Sequence, residues 1–123
     1  MVKVLLVDDS AAVRSRLAAL LAELREVEVV GEAADSTTAV EAARLLKPHV
    51  VILDIRMAGG SGLDVLPQLK QGGGAPVVIM LTNHPNEGYR RWCLEHGADF
   101  FFDKSTEFEK VLKVLPDLRP QAR

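Results

Sequence analysis

Val50-Val51-Ile52-Leu53-Asp54 is a run of four apolar residues closed by one carboxylate. A continuous β-branched run of that length predicts a strand buried on both faces, as in a parallel sheet covered by helices. In such sheets ligands bind just beyond the carboxyl ends of the strands, which is where Asp54 falls. The pattern recurs through the chain. Val4-Leu5-Leu6-Val7 runs into Asp8 and Asp9, Val77-Val78-Ile79-Met80-Leu81 into Thr82, and Phe100-Phe101-Phe102-Asp103 into Lys104. Four strands therefore deliver three acids, a hydroxyl and an ammonium to one edge of one sheet.

The segments between these runs read as helices. Val13, Leu17, Leu20, Leu21 and Leu24 recur at helical spacing and predict a helix from about Ser10 or Ala11 to Arg25, with Asp9 or Ser10 as its cap. Val27 to Val30 is a short second strand. Thr38 with Glu41 fits a capping box for a second helix, with Asp35 or Ser36 as competing caps, and Pro48 follows its end. After Asp54 comes a glycine-containing loop, then a third helix on Leu63, Leu66 and Leu69 with Ser61 as cap. Pro67 lies inside it, which predicts a kink or a late start. Residues 71 to 75 form a glycine-rich turn. Tyr89 to His96 makes a short fourth helix ended by Gly97, and Thr106 with Glu109 opens a last one ended by Pro116 and Pro120. Strand and helix alternate five times, which predicts a doubly wound α/β fold with right-handed crossovers.

The bulk numbers fit one domain. The chain has 123 residues, 48% hydrophobic and 26% charged, enough for an ordinary core. A net charge of -2 gives no global argument for nucleic acid or for an anionic membrane. Cys93 is the single cysteine, read as a small buried hydrophobe on a helix, and it fits a reducing compartment. With no signal-like segment and no membrane-length apolar run, the expected location is the cytoplasm, without membrane attachment.

Three carboxylates at one sheet edge pose an electrostatic problem. Two like charges ~4 Å apart repel by about 4 kcal/mol at an effective dielectric near 20, against a typical domain stability of ~5–15 kcal/mol. A hard divalent cation removes that repulsion, and Mg²⁺ favours a few carboxylate oxygens. Lys104 adds a positive charge able to pair with a carboxylate or a phosphoryl group, and Thr82 adds a hydroxyl donor. One acid then serves as nucleophile and the others as metal ligands in phosphoryl transfer. Any one of these residues alone is more simply a cap, a turn former or a solvated lysine; their joint arrival at four strand ends is what carries the inference.

These residues give the chain a family resemblance. From Val2 to about Leu115 it resembles a receiver domain of two-component response regulators, similar to the chemotaxis response regulator. The resemblance rests on Asp8-Asp9, on Asp54 through Gly62 with Met57, on Leu81-Thr82, on Gly97-Ala98-Asp99 and on Lys104. It implies a flavodoxin-like fold, with a five-stranded parallel sheet of order 2-1-3-4-5 flanked by five helices. It further implies that Asp54 accepts a phosphoryl group from a sensor histidine kinase or phosphotransfer protein. The implied ligands of Mg²⁺ are Asp9, Asp54 and the Arg56 carbonyl, with Asp8 acting mainly through a bound water. Thr82 would read the phosphoryl group by moving inward, and Phe101, three positions before Lys104, would turn into the vacated space. By the same analogy the output surface is the last helix, the fourth helix and the last strand, with Tyr89 and Trp92 as partner anchors or core. The molecule would be a monomer or a phosphorylation-dependent dimer.

The chain also departs from the family pattern. Ser105 stands where receivers usually have proline, so the Lys104–Ser105 bond is expected trans, since a cis bond to a non-proline costs ~2.5–4 kcal/mol. Ala58 replaces another usual proline, and Asn83, Arg56 and His84 match positions around the phosphoryl group. With nothing after residue 123, a stand-alone signalling module without output domain, not an enzyme in its own right, is the expectation. The alternatives are an excised receiver of a longer transcription factor, or an Mg²⁺-dependent phosphatase forming an aspartyl phosphate. The adjacent acids of Asp8-Asp9, in place of an Asp-x-Asp, count against the phosphatase.

Overall fold

In the computed structural model, which describes residues 1–71 and 74–118, five parallel strands carry the fold. The elements run β1 (Val2–Val7), α1 (Ala11–Leu21), β2 (Val27–Ala33), α2 (Ser36–Leu46), β3 (Val50–Leu53), α3 (Gly62–Leu69), β4 (Val77–Thr82), α4 (Glu87–Glu95), β5 (Phe100–Asp103) and α5 (Phe108–Val114). A single 3-10 turn, Leu115–Leu118, follows α5. The sheet order is β2-β1-β3-β4-β5, the expected doubly wound, flavodoxin-like arrangement.

The period-two pattern of the strands divides the core between the two sheet faces. Leu5, Val7, Val51, Leu53, Val78, Met80 and Phe101 point to one side, where Ala39 of α2, Val65, Leu66 and Leu69 of α3 and Cys93 of α4 cover them. Val4, Leu6, Val50, Ile52, Ile79 and Leu81 point to the other, under Leu17 and Leu21 of α1 and Phe108 and Val111 of α5. β3 is buried at every position, as a central strand covered on both faces must be. Burial pushes the Cys93 thiol up to about 11, so it stays protonated at neutral pH and serves as a core hydrophobe.

Register sets the functional edge. Val7 lies beside Leu53, Leu53 beside Met80, and Thr82 beside Asp103. The backbone N–H of Asp54 donates to the carbonyl of Val7 at 3.0 Å, and that of Lys104 to the carbonyl of Thr82 at 2.8 Å. The polar residues that follow each strand therefore leave the sheet side by side.

Several local expectations need correction. α1 ends at Leu21 rather than Arg25, its cap at Ala22 donating to Ala18 and Leu20, so Leu24 packs from a turn. β2 extends to Ala33, because its backbone continues to pair with β1 through Val7. Ser10 caps α1, its Oγ accepting from Val13 at 3.2 Å, and Asp35 caps α2 by accepting from Thr38 at 2.8 Å. Neither the Thr38 box nor the Thr106 box forms. Glu107 instead precedes α5 and accepts from the Asp103 N–H at 3.0 Å and from Lys110 Nζ at 2.6 Å. α3 starts at Gly62 and continues through Pro67, so it has no late start. α4 begins two residues earlier than expected, because Asn86 caps it through the Tyr89 N–H. Among the described residues no peptide bond is cis, so Lys104–Ser105 is trans as expected. Gly72, Gly73 and Pro120, part of the expected turn and helix stop, lie outside the described residues. No helix among the described residues is long and apolar enough to cross a membrane.

Candidate phosphoryl-transfer site

Asp8 and Asp54 leave β1 and β3 at the same level of the sheet, and both are buried, at 4% and 7% exposure. Between them sits Lys104, which reaches in from the end of β5. Its Nζ donates to Asp8 Oδ2 at 2.6 Å and to Asp54 Oδ2 at 3.2 Å. The lysine side chain is itself only 9% exposed, so this is a buried charge triangle rather than a surface ion pair. Removing such charges from water is repaid only when geometry and further hydrogen bonds satisfy them. Those bonds are present. Asp54 Oδ1 accepts from the Ile55 N–H at 2.8 Å, and Asp8 Oδ1 from the Ser10 N–H at 2.8 Å.

Asp9 is the exposed member. Its Oδ2 accepts from the Ala58 N–H at 3.0 Å, which aims it across the mouth of the site towards the loop after Asp54. Asp8, Asp9 and Asp54 each offer a carboxylate oxygen, and these oxygens lie within 4.8 Å of one another. Burial holds the Asp54 carboxyl above its ordinary range; the Lys104 ammonium opposes that rise and the Asp8 charge adds to it. For Lys104, burial pulls down, but the hydrogen bond it donates to Asp8 and the charges of Asp54 and Asp8 outweigh it, so the ammonium is held more firmly than in water.

The loop from Asp54 to α3 is shaped by backbone contacts. The N–H of Gly62 donates to the Ile55 carbonyl at 2.7 Å and Ser61 Oγ to the same oxygen at 3.1 Å. Arg56–Met57 pairs antiparallel with Gly60–Ser61. A Cβ at position 62 would collide with the Asp54 carbonyl oxygen, which is the physical reason a glycine opens α3. Arg56 stands in this loop with its side chain exposed, as are Asn83 and His84 after β4.

Thr82 ends β4 fully buried, its Oγ1 accepting from the His84 N–H at 2.9 Å. Phe101, 6% exposed, is packed into the core shared by α2, α3 and α4. Tyr89 and Trp92 pack against that core partly buried, and Trp92 stacks on His96 with 3.8 Å between ring centroids. One contact was not foreseen from the sequence. Arg14 of α1 donates through Nη1 to the Asp8 carbonyl at 2.6 Å and through Nε to Glu32 Oε1 of β2 at 2.8 Å. Its signal, an arginine on the first turn after the acids opposite a glutamate at the end of β2, needs the strand register to be read.

Residues 4–116 match the family model of the response regulator receiver domain. The chain belongs to that family. Among solved receivers, the response regulator domain of Thermotoga maritima CheB is 33% identical, with a TM-score of 0.84 over 97% of this chain and 94% of that one. The receiver domain of the putative response regulator NarL from Mycobacterium tuberculosis is 30% identical, with a TM-score of 0.85 over 98% of both chains. Among curated proteins, the chain is 37% identical to protein-glutamate methylesterase/protein-glutamine glutaminase 1 of Carboxydothermus hydrogenoformans, over 94% of its own length and 34% of that protein's. It is 33% identical to the nitrate/nitrite response regulator protein NarL of Escherichia coli, over 91% of itself and 52% of the relative. The receiver thus spans only a third to a half of these relatives, and the activity in the methylesterase's name belongs to a protein about three times as long.

Proposed function

We propose that this receiver domain is a phosphoacceptor switch in which Asp54 takes a phosphoryl group from the phosphohistidine of a sensor histidine kinase or phosphotransfer protein. The observation that carries the reading is the buried Lys104 ammonium shared between Asp8 and Asp54 beside a third carboxylate.

The donor set fits Mg²⁺: three carboxylates, hard oxygen ligands, close enough to share one ion. Asp9 and Asp54 would hold it directly with the Arg56 carbonyl, and Asp8 would hold it through water. Bound there, Mg²⁺ would neutralise phosphoryl oxygens and relieve repulsion among the acids. Asp54 supplies the nucleophile. A carboxylate made more basic by burial attacks phosphorus, the new P–O bond forms as the P–N bond to the imidazole breaks, and the imidazole keeps the bonding pair and takes a proton from solvent. Lys104 keeps its proton throughout, so its charge transfers from the Asp54 carboxylate to the phosphoryl oxygens. Thr82 accepts from His84 and retains its own hydroxyl hydrogen to donate to a phosphoryl oxygen. Phe101, adjoining β4 on the α4 side, completes the switch by holding the buried position as Thr82 moves. A phenyl ring, already buried there, contributes packing but no hydroxyl hydrogen bond.

In this reading the chain catalyses only its own phosphorylation and dephosphorylation, and its downstream partner is a protein rather than nucleic acid or membrane. Incubation with acetyl phosphate and Mg²⁺, followed by intact-mass measurement, tests it. One added phosphoryl group is expected, lost with EDTA during the reaction and abolished in Asp54→Asn. Labelling that survives Asp54→Asn, or steady turnover of unrelated phosphomonoesters, would overturn the reading and favour a phosphatase.

A further inference from the structure

We propose that Arg14, steadied by Glu32, is a positioning residue for the Asp8–Asp9 arm of the cation site, an inference that rests on reading the acidic cluster as an Mg²⁺ site. A guanidinium beside a cation site is at first sight misplaced, since its charge opposes that of the ion. The geometry explains it. Arg14 does not touch a carboxylate of the cluster; Nη1 donates to the backbone carbonyl of Asp8 at 2.6 Å. That carbonyl belongs to the peptide joining Asp8 to Asp9, so fixing it fixes the direction in which Asp9 leaves the chain. The Asp9 carboxylate is then held at its far end by the Ala58 N–H at 3.0 Å.

Glu32 makes the clamp two-handed. Its Oε1 accepts from Arg14 Nε at 2.8 Å, from the far end of β2. The planar fork of the guanidinium therefore spans two fixed points, one on a sheet strand and one on the acidic turn, while its own backbone is anchored by a bond from Arg14 N–H to Ser10 O at 3.0 Å. Glu32 also offsets the arginine's charge. With both ends of Asp9 fixed, less freedom is lost when a cation binds.

Calorimetric titration of the full chain with Mg²⁺ alone, without a phosphodonor, tests the clamp. Arg14→Gln removes a positive charge; a purely electrostatic role would tighten Mg²⁺ binding, whereas loss of positioning weakens it. The expected result is weakening on the order of tenfold. Glu32→Ala, which leaves Arg14 with one anchor, is expected to weaken binding about threefold, and Glu32→Gln, which keeps an acceptor oxygen, to stay within about twofold. Binding that is unchanged or tighter in Arg14→Gln overturns the clamp; unchanged affinity would mean that Arg14 only fastens α1 to β2. If Arg14→Gln does not fold, the Glu32 variants decide, and equal affinity in Glu32→Ala and Glu32→Gln overturns it. A wild-type chain that binds no Mg²⁺ is distinguishable from these outcomes, and it overturns the cation reading and the clamp together.

Discussion

Asp54 is a residue the fold holds at a cost. Burial and the neighbouring Asp8 charge raise its carboxyl above the ordinary range despite Lys104, so the ionised form is less comfortable in the folded chain than in the unfolded one. A raised carboxyl contributes stability that is fully present below its unfolded value, ~3.9, and is lost as pH rises through its folded value. At neutral pH without metal, Asp54→Asn should therefore stabilise, on the order of 1 kcal/mol or about 3–6 °C in Tm. The gain should shrink as the pH is lowered. Thermal melts in EDTA across pH check this, and a lower Tm for the variant at pH 7 would contradict it. Lys104 gives the opposite sign. Lys104→Met leaves Asp8 and Asp54 facing each other uncompensated, and breaking a buried pair in this way costs about 3–5 kcal/mol. Urea titration without metal should show that loss, and Mg²⁺ should recover part of it by supplying the missing charge. Equal stability with and without Lys104 would mean that water already screens the cluster.

At the scale of elements, the entry to α3 governs how Asp54 is presented. Gly62→Ala would drive a Cβ into the Asp54 carbonyl, displacing either the Asp54 backbone or the helix start. Overpacking of this kind costs about 1–3 kcal/mol or more, and here it should also slow labelling by acetyl phosphate. Normal labelling with normal stability would show that the loop yields freely. The elements also show which parts of the fold the sequence makes legible. β3, β4 and the polar residue that closes each run, Asp54 and Thr82, follow from runs that only a doubly covered sheet accommodates. β2 was shortened because Gly31 and Glu32 break its apolar run, while its pairing with β1 persists to Ala33 through backbone bonds that side-chain pattern does not report. The caps were ambiguous wherever two competent side chains were adjacent, as with Asp9 and Ser10: Asp9 is drawn to Ala58 and Ser10 is left to cap. At Thr106 the pattern misled, because the Glu107 carboxylate takes up the Asp103 N–H and the Lys110 ammonium and α5 starts only after it, at Phe108. Arg14 was illegible for a related reason, its partners lying on two other segments.

For the whole molecule, an ion held as proposed by the acids at the sheet edge would link folding to cation concentration. Ile55 and Met57, one and three positions after Asp54, belong to the same core as Phe101 and Cys93, so order at the site is shared with the α2–α3–α4 side of the sheet. An ion bound only by the folded chain adds RT ln(1 + [L]/Kd) to its stability, about 2.7 kcal/mol at a hundredfold excess over Kd. Tm should therefore climb with the logarithm of Mg²⁺ concentration once the site begins to fill. Asp9→Asn is the informative control, since Asp9 is exposed and its one hydrogen bond to Ala58 survives in an amide oxygen. Its metal-free Tm should stay close to that of the parent chain, while the slope against Mg²⁺ flattens. Ca²⁺, larger and less demanding of octahedral geometry, should stabilise less at equal concentration if a compact site formed by two strand ends and one loop sets the fit. A slope that is the same in Asp9→Asn as in the parent would place the stabilising ions elsewhere, on the diffuse negative charge of the surface, and would leave the three carboxylates as a pair bridged by lysine and a solvated neighbour.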